Sequence, residues 1–74
     1  MTEHIVDARG LEPPLPFERA MDALVDLPPG GCFTLLIDRM PHPLLRMLDR
    51  DGYQHNTQAD ADGALKIEIR RPPA

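Results

Sequence analysis

Proline has no backbone N–H to donate, so nine prolines among 74 residues decide where regular structure can run. They stand in four groups: Pro13, Pro14 and Pro16, then Pro28 and Pro29, then Pro41 and Pro43, then Pro72 and Pro73. None of these groups fits inside a paired strand. Proline is well tolerated in the first turn of a helix, where amide groups lack partners anyway. The first and third groups are each followed by helical spacing and therefore read as helix starts. The second runs into Gly30-Gly31 and reads as a stop and a turn.

The segments between the prolines carry clear periods. Ile5-Val6 is a short β-branched run closed by Gly10, which predicts a strand at about residues 4–7. Phe17, Ala20, Met21, Leu24 and Leu27 recur at intervals of three and four and mark one helix face. Residues 32–37 form a second strand, with Phe33, Leu35 and Ile37 on one face and Cys32, Thr34 and Leu36 on the other. Leu44, Leu45, Met47 and Leu48 supply the apolar side of a second helix, which Gly52 stops. Residues 53–59 alternate loosely, with Gln54, Asn56 and Gln58 toward solvent. Asp60 to Gly63 reads as a hairpin turn. Leu65, Ile67 and Ile69 alternate with Lys66, Glu68 and Arg70 in a last strand. The end, 72–74, is expected to be a frayed tail, and Arg70-Arg71 a solvated strand end.

The order is βαβαββ. The alternation in the last strand makes one sheet face dry and the other wet. Both helices must then pack on the dry face. The expected fold is an α/β (α+β) two-layer sandwich: a four-stranded mixed sheet carrying two helices on one side, with strands one and two parallel. The chain reads as one domain, residues 1–74.

A chain this short buries about 60% of its unfolded surface, so a surface cleft is more plausible than a deep cavity. The formal net charge of −4 disfavours nucleic acid, which needs a clustered basic surface. Cys32 is the single cysteine, so no internal disulfide forms and a reducing compartment suits the chain. No signal-like apolar run follows Thr2-Glu3-His4, and no stretch approaches the ~18 apolar residues of a membrane span. The expected location is the cytoplasm.

Certain motifs carry a resemblance. Asp7-x-Arg9-Gly10-Leu11, the x-Pro14-x-Pro16 helix start and the βαβαββ order are similar to the TusA/SirA-like small sulfur-carrier proteins. In that group a reactive cysteine precedes the first proline of a Cys-Pro-x-Pro motif, and here the position is Pro13. The chain more closely resembles an uncharacterised branch of the same superfamily. The residues that carry this are Arg9-Gly10-Leu11-Glu12-Pro13-Pro14, Leu27-Pro28-Pro29-Gly30 and Asp38-x-x-Pro41-x-Pro43-Leu44. The resemblance covers nearly the whole chain and implies the sulfur-carrier fold. Domains of that branch are sometimes fused to hemerythrin-like modules, which points to a redox or respiratory setting.

Sulfur transfer needs a thiolate, and a cysteine at a helix N-terminus gains acidity from the partial positive charge there. Pro13 supplies neither thiol nor charge. Cys32 lies on the second strand, far from that helix start, and reads as a small filler or a strand-edge residue. The carboxyl ends of strands one and two lead into both helices, the usual ligand side of an open α/β sheet. That edge carries Arg9, Gly10, Glu12, Pro13, Pro14 and Pro16 from the first loop. The second loop brings Asp38, Arg39, His42 and Pro43. Helix-start amides favour anions, and the prolines stiffen both loops into a recognition surface. The alternative is that Arg9 pairs with Asp38 or Glu12 simply to tie the loops together.

No His-x3-His pair exists and Cys32 has no ligand neighbour in sequence, so no metal site and no cofactor are expected. A site made by His42 with an acidic neighbour or a second chain is the remaining metal arrangement. The chain has no serine, and Asp60 and Asp62 read as turn residues. No catalytic residue is assigned. The sequence favours a non-catalytic domain that presents its two loops to a protein partner or a small anion. The alternatives are a sulfur-relay or redox accessory acting through Cys32, and self-association through the outer sheet face or a strand edge.

Overall fold

A computed structural model describes residues 4–59 and 63–73. The elements are β1 (Ile5–Asp7), α1 (Leu15–Asp26), β2 (Cys32–Ile37), α2 (His42–Arg50), β3 (Gln54–Ala59) and β4 (Leu65–Arg70). The βαβαββ order agrees with the periodic reading, and β3 begins at Gln54, one residue later than expected. β1 is one residue shorter at its start; His4 contributes only its carbonyl, which accepts the Thr34 N–H at 2.9 Å. The hairpin turn read at 60–63 falls mostly outside the described residues.

The sheet order is β1-β2-β4-β3. β1 runs parallel to β2, with Val6 opposite Leu35, whereas β4 lies antiparallel to both β2 and β3. One face of the sheet carries the core. Phe33, Leu35 and Ile37 of β2 and Ile67 and Ile69 of β4 are buried there with Ala20, Ala23 and Leu24 of α1, and with Leu44 and Leu48 of α2. Both helices therefore share one face. The opposite face carries exposed Cys32, Gln54, Asn56, Gln58, Glu68 and Arg70. Thr34, in the middle of that open face, is buried because Ile5 and Glu68 flank it on the neighbouring strands.

The prolines act as the sequence requires. Pro14 and Pro41 are the N-cap residues of α1 and α2, and Pro16 and Pro43 lie in the first turns. The Pro13–Pro14 peptide is cis. At the other end of α2, the Tyr53 N–H bonds the Leu48 carbonyl at 2.8 Å and the Gly52 N–H bonds the Asp49 carbonyl at 3.3 Å. Together these bonds satisfy the orphan carbonyls of a helix C-terminus.

Two readings at the chain's end are corrected. Arg71 is half-buried rather than solvated: its guanidinium donates to the Leu27 carbonyl at 2.6 Å, while Arg70 reaches the Gly30 carbonyl at 3.3 Å. The Arg71 N–H also bonds the Gly31 carbonyl at 2.9 Å, and the Pro72 carbonyl accepts the Gly30 N–H at 3.4 Å. The segment after β4 is thus tied to the turn between α1 and β2, and only Ala74 of the expected tail lies outside the described residues. The carbonyls at a helix end and in a tight turn need donors, and two arginines adjacent in sequence supply them. The same turn explains Gly31, where a Cβ would sit 2.9 Å from the Pro28 carbonyl oxygen.

Candidate functional site

β1 and β2 are parallel neighbours, so the loops leaving their carboxyl ends emerge side by side. The first runs from Ala8 into α1 and the second from Asp38 into α2. Between them lies a groove of about 740 Å³. Ala8, Ile37 and Leu44 form its floor, and all three belong to the buried core. Leu11, Phe17 and Met40 line its walls together with Pro13, Pro14, Pro16, Pro41 and Pro43. Phe17 and Met40 stay 39% and 40% exposed, a degree of exposure that puts large apolar side chains at the surface of the groove rather than in the core.

One hydrogen bond joins the two loops. The Asp38 carboxylate accepts the Gly10 N–H at 2.6 Å across 28 positions of sequence. Gly10 makes this turn with φ of +75°, a conformation that side-chain-bearing residues rarely adopt. Carboxylate acceptors make strong hydrogen bonds to backbone amides, so Asp38 fixes the spacing of the groove's walls.

Arg9 is placed differently from either sequence reading. Its guanidinium forms a two-pronged pair with Asp7, Nε to Oδ1 and Nη2 to Oδ2 both at 2.9 Å. The Arg9 N–H also bonds Asp7 Oδ1 at 3.1 Å. These contacts hold the Asp7 carboxyl well below its usual range, at about 2, the side-chain hydrogen bonds from Arg9 being the main cause. The expected pairing of Arg9 with Asp38 or Glu12 is replaced by this local one. Asp7 lies two residues from Arg9 and Asp38 lies 29 away, and the shorter separation closes the smaller loop, so the nearer carboxylate captures the guanidinium.

Of the ten residues read from sequence as the site, Gly10, Glu12, Pro13, Pro14, Pro16, Asp38, Arg39 and Pro43 line the groove. Arg9 and His42 do not. His42 is an exposed first residue of α2 whose N–H bonds the Met40 carbonyl at 3.1 Å. The sequence reading missed Leu11, Phe17, Ile37, Met40 and Leu44, which give the groove its apolar character. Phe17 follows the helical period, which predicts a place on the core face. Its place in the first turn of α1, next to three prolines, is the signal that it sits at the edge of that face.

The anion expectation weakens at the same point. In each helix the first amide is already engaged: Leu15 N–H with the Glu12 carbonyl at 2.9 Å, and His42 N–H with Met40. The second helical residue in both is proline. An anion at either start would meet few free donors.

Cys32 opens β2 at the far end of the sheet. Its thiol is exposed, so it is not a core filler. Four strand residues lie between it and Ile37 of the groove, a span of about 17 Å. It lies in a second, smaller depression of about 460 Å³, among His4, Gln54, Asn56, Glu68 and Arg70. His55 is not a free surface residue either: its Nε2 lies 2.7 Å from Asp49 Oδ1, joining β3 to the end of α2. Among the described residues no group of three His, Cys, Asp or Glu side chains converges on a point. No helix among them is long and apolar enough to cross a membrane.

Fold and groove together define a two-layer α+β domain of the SirA-like kind. The chain belongs to the family described as "Uncharacterized conserved protein (DUF2249)", which matches residues 5–71. The crystal structure of a SirA-like protein from Desulfitobacterium hafniense superimposes with a TM-score of 0.79 at 31% identity, over 92% of this chain and 96% of that one. No curated protein matches the chain.

Proposed function

We propose that this chain is a non-catalytic interaction domain that receives an uncharged, apolar segment of a protein partner in the groove between its helix starts. The observation that carries the reading is the composition of the groove. Where a sulfur carrier presents a thiol, this chain presents Pro13 beside exposed Phe17 and Met40, on walls held apart by the Asp38–Gly10 bond. Burying half-exposed apolar side chains is the main source of affinity in a small interface. A pre-set groove loses little entropy when a partner enters. An apolar lining and occupied helix-start amides favour a peptide-like segment over a small anion.

The test is a comparison of the partners retained by the immobilised chain and by three variants. Phe17→Asp is expected to abolish retention, because it places a charge against an apolar wall. His42→Ala and Cys32→Ala are expected to leave it intact. Full retention by a correctly folded Phe17→Asp protein overturns the proposal.

The second reading is a sulfur-relay or redox accessory acting through Cys32, favoured by the thiol's exposure. Incubation with a cysteine desulfurase separates the two: a persulfide on Cys32, found by mass spectrometry, supports the relay and an unmodified thiol sinks it.

A further inference from the structure

The two edges of the sheet are finished very differently. β1, at one edge, is three residues long and ends in Asp7, which is ion-paired to Arg9. Short length and charge are the ordinary means by which an edge is blunted against pairing with another chain. β3, at the other edge, is six residues long, QHNTQA, with no proline, lysine, arginine or carboxylate. Its inner side pairs residue for residue with β4 from Gln54–Arg70 to Ala59–Leu65, with no bulge. Its outer side has no strand partner among the described residues.

From this contrast we infer that the outer edge of β3 pairs antiparallel with β3 of a second copy of this chain, joining two sheets into one of eight strands. Charge selects the partner. The chain carries a net charge of −4, so two copies repel wherever formal charges meet. β3 is the edge at which two copies meet without opposing formal charges in either strand. The side chains match as well. Gln54, Asn56 and Gln58 share the open face and are exposed, and each amide both donates and accepts, so like meets like favourably.

Symmetry fixes the register. A two-fold axis perpendicular to the sheet keeps each face on its own side, so directly opposed residues must share a face. The axis therefore passes midway between one residue and the same residue of the second copy. Placing it at Asn56 sets Asn56 opposite itself and Gln54 opposite Gln58, which puts all three open-face amides in cross-strand pairs. Both α2 helices then lie on the same side of the joined sheet. This surface is distinct from the groove and leaves it open.

The test uses the full chain in sedimentation equilibrium at micromolar and at millimolar protein, with circular dichroism as the control for folding. The wild-type mass is expected to double at the higher concentration. Asn56→Lys and Asn56→Glu, which place like charges opposite each other, are each expected to remain monomeric there. An equimolar mixture of the two is expected to recover the dimer, because Lys then faces Glu. The double variant Gln54→Lys/Gln58→Lys mixed with Gln54→Glu/Gln58→Glu gives a second pair for the same test. A wild-type chain that stays monomeric at millimolar concentration overturns the inference. So does a dimer that survives Asn56→Lys, or a pair of mixtures that both fail to associate.

Discussion

The two ends of β2 are both held by charged side chains bonded to backbone groups, yet they make opposite kinds of surface. At the Ile37 end, the exposed Asp38 carboxylate bridges to Gly10 and leaves an apolar groove open beside it. At the Cys32 end, the half-buried Arg71 guanidinium satisfies the Leu27 carbonyl and closes the turn against the sheet. A carboxylate that binds an amide from outside spaces two loops. A guanidinium inserted among helix-end carbonyls seals them. The charged residue's position, more than its strength, decides whether an end presents a surface or shuts one.

The largest expected effect tests whether the groove is continuous with the core. Leu44 is 1% exposed and lies in the groove floor, so Leu44→Ala is expected to cost about 2–5 kcal/mol in urea denaturation. A loss well below that range would separate the groove from the core and weaken the contrast between the two ends.

Next comes the closed end. Arg71→Ala leaves the Leu27 carbonyl without its charged donor, and a loss of about 1.5–3 kcal/mol is expected. Asp38→Ala, at the open end, removes an exposed bond and is expected to cost only about 0.5–1.5 kcal/mol while loosening the loops. Equal losses at both sites, read from the same denaturation series, would erase the distinction drawn here.

The smallest effect is the acid response of Asp7. Its folded carboxyl is lowered from the usual 3.8 to about 2 by Arg9. A depressed folded value means that the unfolded chain binds the proton first. The pair's contribution is therefore complete above about pH 4 and is lost as the pH falls toward 2. Both groups are solvent-exposed, so screening keeps the contribution small. Nuclear magnetic resonance titration of Asp7 is expected to give a low midpoint that rises to the ordinary carboxylate range in Arg9→Ala.

Much of this was legible in the residues, and the reasons are local. Alternation of Leu65, Ile67 and Ile69 placed β4 and its dry face. The proline groups marked the first turns of both helices, because missing N–H groups leave little choice. The loops of the groove were identified, though not its character. Phe17 and Met40 have the right chemistry for a core, and only their position at the ends of elements, under loops that do not cover them, leaves them half-exposed. The arginines show the same limit: nothing in the string says whether Arg9 will turn to Asp7 or Asp38, or that Arg71 will reach back 44 positions to Leu27.

By itself, the sequence determined the periods and the breaks, because these depend on side-chain repeat and backbone valence alone. Only the tertiary structure decided the strand order β1-β2-β4-β3, the Asp38–Gly10 bridge and the unblunted β3 edge. Each of these depends on which distant segments become neighbours, and that is set by the packing of the whole core rather than by any window of the chain.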